Sequence, residues 1–415
     1  MMETRRTEFK SEISDTFLKT VSAFANYDGG RIFFGYDDKG KAVGLENPKK
    51  ACLNIENRIN DSIRPQPDYE LAVQEPSRTV ILTVEGGSNK PYTYRSKAYR
   101  RKDTATIEVD ELELARLVLQ GKNVDYEELP AEDQELTFSS LEKKAKEEIG
   151  IESLNIDILK TLDLYSDAQG YNRAAELLAD KSEYPGIDIV RFGDDINTIL
   201  KEKTIQHQSI LTELEKAISI YRDYYQYEEV KGSCRENVEL IPEAAFREVV
   251  ANGLMHRTWD VNAQIRILMF DDRVEVTWPG GPPAGLSEEE YLKGNFSVLR
   301  NPILGNIFYR LHLVEIFGTG VRRIRESYRD SANKPEFEAL ENSIKVTLPV
   351  MNVMKLSEDE DLVYKSLSKT IPRSSGEITE AVPFGKSKTT AILKKLVKNN
   401  YVTVVGRGRG TKYKL

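Results

Sequence analysis

Cysteine is nearly absent: 415 residues contain two, Cys52 and Cys234. They lie far apart and without metal-ligand spacing, so neither a disulfide framework nor a zinc site is expected. The chain reads as one from a reducing compartment. Histidine is as scarce, at three residues. His207 and His312 stand alone and read as ordinary surface or core residues. No run approaches the roughly 18 apolar residues that a membrane span needs, and MMETRRTEFK lacks the apolar core of a signal peptide. A cytoplasmic location with no membrane partner is therefore expected. No internal repeat or low-complexity tract stands out. What is present is length for about three domains and a net charge of -8, which spread evenly would argue against nucleic acid. It is not spread evenly. From Lys369 to Leu415 the chain carries Lys369, Arg373, Lys386, Lys388, Lys394, Lys395, Lys398, Arg407, Arg409, Lys412 and Lys414 against only Glu377 and Glu380. So concentrated a positive charge suits phosphate contacts.

The segment Ile241 to Asp260 reads as a helix with Glu248, Asn252 and His256 at steps of four. Residues so spaced share one helix face, while Phe246, Val249, Val250 and Leu254 cover the others. Pro242 fits a first turn and Glu243 suits the positive end of the helix dipole. Downstream, FDDRVEVTWPGG (Phe270 to Gly281) reads as a tight turn, an alternating strand and a glycine turn. FGTGVRRIRESY (Phe317 to Tyr328) reads as glycines opening a helix, where free N–H groups cradle an anion.

Together these motifs resemble the GHKL-type ATPase family in its divergent form, found in bacterial proteins regarded as transcriptional regulators. The match runs through Glu248-x3-Asn252, His256-Arg257, Phe270 to Glu275, Pro279-Gly280-Gly281, Arg300-Asn301-Pro302 and Gly318-Thr319-Gly320. The resemblance implies ATP and Mg as cofactors. Asn252 would hold the Mg through a phosphate, Glu248 would orient water as general base, and Gly318, Thr319 and Gly320 would meet the phosphates. His256, Gly280 and Gly281 would complete the nucleotide contacts. One departure stands out: relatives place an Asp ahead of the glycines to bind the adenine amino group, and Trp278-Pro279-Gly280-Gly281 offers none. The plainer alternative is that Glu248 and Asn252 cap or bridge neighbouring elements and the glycines only punctuate turns.

Nearer the N-terminus, Thr16 to Asn26 has helical spacing and ends at Gly29-Gly30, RIFFGYDD is a buried strand running into a turn at Asp37 to Gly40, Pro48 to Ile63 is a helix, and strands lie at Glu70 to Val73 and Val80 to Val84. Lys90 to Asp103 reads as two short strands joined near Ser96-Lys97. It interleaves Tyr92, Tyr94 and Tyr99 with Arg95, Lys97, Arg100, Arg101 and Lys102, so one ribbon would offer stacking faces and phosphate-directed cations. The alternative is a solvated edge strand with its aromatic residues packed beneath.

Glu3-x4-Glu8-Phe9-Lys10, Ala23-Phe24-Ala25-Asn26, Gly29-Gly30, Phe34 to Asp38 and Val43-Gly44 resemble, in order, the Schlafen AlbA-type domain. That resemblance implies nucleic-acid binding, with Lys10 added to the ribbon cations. In nuclease members three acidic positions serve RNA cleavage, and their counterparts are Glu3, Glu8 and Asp38. Gathered near one point they would hold a divalent metal that activates water. The competing view pairs Glu8 with Lys10 on a strand and leaves Asp38 as a turn residue.

An acidic stretch, Asn123 to Leu136, reads as a linker. Helices and a short strand follow, then a long amphipathic helix over HQSILTELEKAISIYRDYY and a strand pair around Tyr225 to Leu240. At the C-terminus, Ser357 is a helix N-cap, a second short helix spans Gly376 to Val382, and a third from Gly385 turns Ile392, Leu393, Leu396 and Val397 inward and Lys386, Lys388, Lys394, Lys395 and Lys398 outward. Two strands around a turn with Arg407 and Arg409 complete the order of a winged helix.

The expected fold class is therefore α+β and multidomain. Residues 1–122 would form a Schlafen AlbA-type α+β domain, 123–352 a GHKL-like α/β sandwich, helical in its first half with the nucleotide site from about 236, and 355–415 a winged helix-turn-helix. The expected function is a DNA-binding transcriptional regulator responsive to ATP or another ligand, with RNA as a further partner and a homo-oligomer as the assembly. The alternative is a metal-dependent nuclease on RNA or DNA, with a weak ATPase behind it.

Overall fold

The computed structural model describes residues 2–193, 195–231, 234–283, 286–293, 298–314, 320–351, 356–368, 371–399, 401–406 and 408–415. Among the described residues no helix is long and apolar enough to cross a membrane. The chain divides into two compact units, Met1–Leu129 and Pro130–Leu415. Both mix helices with largely antiparallel sheets, so the molecule is of the multidomain α+β class.

The first unit runs β1 (Thr7–Lys10), α1 (Phe17–Asn26), β2 (Gly30–Phe34), α2 (Pro48–Ser62), β3 (Ile63–Arg64), β4 (Tyr69–Gln74), β5 (Thr79–Val84), β6 (Thr93–Tyr94), β7 (Lys97–Lys102), β8 (Ala105–Glu108) and α3 (Glu111–Lys122). Its two sheets have the orders β1-β2-β5-β4 and β3-β6-β7-β8. α1 packs against β7 and also meets α2 and β5. Its Phe17, Leu18, Val21, Phe24 and Ala25 share one core with Ile32 and Phe34 of β2 and Ile55 and Ile59 of α2, and each such large side chain contributes about 1.5–3 kcal/mol by leaving water.

The glycine pair after α1 has two separate causes. Gly29 adopts φ +70°, and a Cβ on Gly30 would stand 2.6 Å from the Phe24 ring. Asn26, at the end of α1, clamps the backbone before β6: its Nδ2 donates to the Tyr92 carbonyl at 2.8 Å and its Oδ1 accepts from the Tyr92 N–H at 2.7 Å.

The second unit starts with α4 (Ser139–Glu148), α5 (Ile156–Thr161), a small hairpin of β9 (Tyr165–Ser166) and β10 (Gly170–Tyr171), and α6 (Arg173–Leu178). There follow β11 (Ile187–Phe192), β12 (Ile199–Ile205), α7 (Ile210–Tyr225), a two-stranded arm of β13 (Gln226–Lys231) and β14 (Cys234–Glu239), α8 (Glu243–His256), β15 (Ile265–Met269), β16 (Arg273–Pro279), α9 (Glu288–Lys293), α10 (Pro302–Arg310), α11 (Gly320–Ser327), β17 (Glu336–Leu340) and β18 (Ser343–Pro349). Six strands make one sheet in the order β12-β11-β15-β16-β18-β17, with β11 parallel to β15. β16 alternates as its sequence requires, burying Val274, Val276 and Trp278. α7 and α8 pack together, with Tyr221 stacked on Phe246 at 4.5 Å between ring centres.

The last elements are α12 (Glu358–Lys365), β19 (Arg373–Ser374), α13 (Ser375–Glu380), α14 (Lys386–Lys398), β20 (Thr403–Val405) and β21 (Lys412–Lys414), with the strands ordered β19-β21-β20. Val363, Leu367, Ile378, Ile392, Leu393, Leu396 and Val402 form a core of their own. Ser357 caps α12 and Glu360 reciprocates, closing a capping box.

Candidate functional site

Along α8 the three polar residues do share a face, but their surroundings differ. Glu248 is buried and accepts a hydrogen bond from Asn252 Nδ2 at 3.2 Å. α11 packs against α8 and begins at Gly320. A Cβ on Gly320 would stand 2.8 Å from Glu248 Oε1 and 2.9 Å from Asn252 Nδ2, closer than real Cβ atoms come. Glycine thus lets a helix N-terminus, the positive end of the helix dipole, meet a carboxylate and an amide. Gly318 and Thr319 lie outside the described residues.

Two turns on, His256 is half-buried. Burial first, and the charge of Arg300 second, push its imidazole down to about 4, so the ring is neutral at pH 7. Its Nδ1 is buried and has no hydrogen-bond partner among the described residues, and the same holds for Thr258 Oγ1. Gly280 has φ +103°, and a Cβ there would lie 3.0 Å from Arg300 Nη1 and 3.1 Å from Thr258 Oγ1. Arg300 Nη2 donates to the Gly281 carbonyl at 2.6 Å. Asn301 closes the end of α8, its Nδ2 donating to the Met255 carbonyl at 2.7 Å and the Arg257 carbonyl at 3.0 Å.

Sequence reasoning assigned no role to Thr258, Arg300 or Asn301. Arg300-Asn301-Pro302 did carry a signal, since an Asn before a Pro marks a helix start. Arg257 is wholly buried and structural: it donates to the Pro185 carbonyl at 2.8 Å.

In the first unit, Glu8 on β1 is buried between two cations, with Lys10 Nζ at 2.6 Å and Arg101 Nη1 at 3.1 Å. Glu3 accepts from the Phe9 N–H at 2.8 Å, while Asp38 lies exposed in the turn after β2. Among the described residues no group of three or more His, Cys, Asp or Glu side chains is placed to hold a metal ion. The Glu8–Lys10 pairing is the one the plainer sequence alternative supposed.

The aromatic residues of the ribbon are not stacking faces. Tyr92, Tyr94 and Tyr99 belong to the core under α1, because α1 covers that side of β7 and the sheet's alternation turns them toward it. Arg101, expected among the phosphate-directed cations, points the same way and is buried: besides Glu8, it donates to Thr106 Oγ1 at 3.0 Å and the Thr4 carbonyl at 3.2 Å. Arg100 pairs with Glu113 of α3 at 3.3 Å and Lys97 with Glu108 at 2.8 Å. Arg95, 3.8 Å from Asp15, and Lys102 remain exposed. Arg95 and Ser96 form the two-residue turn between β6 and β7, both at positive φ, as a primed hairpin turn demands. That turn puts the Arg95 side chain, 74% exposed, at the ribbon's tip.

On α14, Thr389, Ile392, Leu393 and Leu396 face inward. Lys388 pairs with Asp359 at 2.6 Å and Lys395 with Glu360 at 2.5 Å, so both lysines lean back on α12. Lys386, Lys394 and Lys398 are exposed and make no ion pair among the described residues. Arg407 lies outside the described residues, as does the side chain of Arg409.

Residues 3–110 match the family described as "Schlafen, AlbA_2", and residues 262–348 match the one described as "Putative ATP-dependent DNA helicase recG C-terminal". The chain carries an AlbA-type domain and an ATPase-like module. The second match begins after α8, so it includes Gly280, Gly281, Arg300 and Gly320 but not Glu248 or Asn252. Among solved structures, the crystal structure of the DIP2311 protein from Corynebacterium diphtheriae shares the fold at 18% identity and a TM-score of 0.52, over 99% of this chain and 92% of that one. The solution structure of the N-terminal domain of a RecG-related protein from Nitrosomonas europaea aligns at 22% identity over 26% of this chain and 79% of that one, with a TM-score of 0.20.

Proposed function

We propose that this chain is a DNA-binding regulator in which residues 356–415 form a winged helix whose α14 enters the major groove, and in which ATP with Mg binds beside α8. The observation that carries it is the open face of α14, where Lys386, Lys394 and Lys398 stand exposed without carboxylate partners among the described residues. Such lysines bind phosphates by releasing counterions, and each contact steepens the salt dependence of binding. The first unit supplies further backbone contacts through Arg95 and Lys102. The family descriptions, one of them a DNA helicase region, favour a nucleic-acid partner of this kind.

The nucleotide half rests on the cradle at Gly320. Asn252 would hold Mg bridged to phosphate, Glu248 would orient a water, and the α11 N–H groups would meet phosphate oxygens. The bound metal would spread the negative charge of the phosphates. The Asn252–Glu248 hydrogen bond keeps the carboxylate aimed along α8 toward Gly320. Glu8, held by two cations, suits a structural carboxylate better than a metal ligand, which favours binding over cleavage in the first unit.

The test is duplex DNA binding across a salt series, with and without MgATP, the same substrates being checked for cleavage on a denaturing gel. Lys394→Ala with Lys398→Ala should lower the salt slope by about 2 and leave the fold unchanged. Metal-dependent cutting that disappears in Glu8→Ala would overturn the regulator in favour of a nuclease.

A further inference from the structure

The nucleotide reading uses one face of α8 and leaves another. Glu243 and Arg247 stand one turn apart on α8, and at 3.6 residues per turn they point roughly 140° around the axis from Glu248 and Asn252. On that side a cleft of about 170 Å³ opens between α4, α7, α8 and the segment after α10. Its space is many times what a single water needs. The floor is a stripe along α7, where Leu211, Leu214 and Ile218 recur at steps of three and four and so share one face. Leu211 and Leu214 are buried, while Ile218, and Leu313 from the segment after α10, are half-buried. From Leu211 to Ile218 the stripe runs about 10 Å at 1.5 Å per residue.

The charged residues of the lining are Lys144, Glu215, Arg222, Glu243 and Arg247, three cations against two carboxylates. Most of that charge is spent within the protein. Lys144 pairs with Glu148 at 3.0 Å. Arg222 Nε donates to Glu243 Oε2 at 2.8 Å, and Gln226 Nε2 donates to the same carboxylate at 2.6 Å. These bonds, that from Arg222 first, hold Glu243 below the usual carboxylate range, and Arg247 adds a through-space charge to them. Glu215 is exposed, so water screens it. Arg247 is exposed as well, and it makes neither a hydrogen bond nor an ion pair among the described residues. The cleft thus joins an apolar stripe to one guanidinium whose donors are unspent.

We infer that this cleft binds a small alkyl carboxylate, its carboxylate on the Arg247 guanidinium and its chain along Leu211, Leu214 and Ile218 beside Leu313. A guanidinium fork matches the two oxygens of a carboxylate, and the stripe takes the chain out of water. An ammonium head group would meet Arg247 as a like charge. The long, narrow stripe suits an extended chain better than a ring. The site is separate from the nucleotide cradle and does not depend on it.

The experiment is calorimetric titration of the full chain at pH 7 with octanoate, butyrate and octylammonium. It compares wild type with Arg247→Gln, Ile218→Ser, Lys144→Gln and Gly320→Ala, thermal unfolding confirming that each variant folds. Wild type should saturate at one octanoate per chain, bind butyrate at least about tenfold more weakly because less chain leaves water, and leave octylammonium unbound. Arg247→Gln and Ile218→Ser should each weaken octanoate about tenfold or more. Lys144→Gln and Gly320→Ala should each change it less than about threefold. Uptake that does not saturate, octylammonium binding as well as octanoate, or full affinity in folded Arg247→Gln or Ile218→Ser would overturn the assignment. Loss of octanoate in Gly320→Ala would place the anion in the cradle at α11 and overturn it too. A dimer that Arg247→Gln dissociates, seen by light scattering in a chain that takes up no octanoate, would overturn it in favour of a second copy covering the cleft. None of these outcomes touches the nucleotide proposal, which MgATP binding tests.

Discussion

Glu8 is held by two cations of unequal weight. The Arg101 side chain is 4% exposed and that of Lys10 26%, so losing the arginine leaves a carboxylate buried with much less compensation, whereas losing the lysine leaves water to take its place. Arg101→Ala should therefore destabilise the first unit by about 3 kcal/mol, and Lys10→Ala by no more than about 1 kcal/mol. Urea unfolding followed by tyrosine fluorescence measures both. Glu213 of α7 presents another buried carboxylate, pushed by burial from 4.5 up to about 8 against the opposing pull of Arg257. The folded chain then binds this proton more tightly than the unfolded chain. The stability it contributes is complete below the unfolded value and is lost as pH rises through about 8. Between about pH 5 and pH 8, Glu213→Gln should remove that loss, so the variant's Tm should fall less with rising pH than that of wild type. An equal pH slope in the two would show that Glu213 is ionised in the folded chain.

At the scale of elements, the approach of α11 to α8 is set by one absent side chain. Gly320→Ala would place a methyl 2.8 Å from Glu248 Oε1 and 2.9 Å from Asn252 Nδ2, forcing both aside. Alanine also favours a helix over glycine by up to about 1 kcal/mol. The expected outcome is a protein of near-normal Tm whose MgATP affinity falls about tenfold or more; unchanged affinity would remove the cradle from the site. Helices whose apolar stripes are strong, α1, α2, α7 and α14, could be read directly from their spacing. β12 could not. Its Ile199, Leu200, Lys201, Glu202, Lys203 and Thr204 are all exposed, because it is an edge strand of the six-stranded sheet, and an edge strand with little to bury has no alternation to show.

For the whole molecule, the net charge of -8 conceals a basic end whose elements close around their own core. Removing residues 356–415 should abolish salt-sensitive duplex binding while leaving the rest of the chain with an unchanged thermal transition. Retained duplex binding at the same salt slope would move the DNA contact to the first unit. The separation matters because a regulator needs ligand binding and DNA binding to fail independently in truncated forms before any coupling between them can be measured.

Periodicity and motif order alone determined the α+β class, the AlbA-type domain, the ATPase-like module and the helix bearing Glu248, Asn252 and His256, since burial patterns and backbone needs repeat at short range. Tertiary structure alone decided which charges are spent. Tyr92, Tyr94, Tyr99 and Arg101 alternate with exposed cations along one ribbon, and only the position of α1 turned them into core. Lys388 and Lys395 look like their neighbours in sequence, and only α12 supplies the carboxylates that separate them from Lys394 and Lys398. Ion pairs and orphaned polar atoms such as His256 Nδ1 depend on which distant residues come within about 4 Å, and one chain's local pattern does not encode that distance.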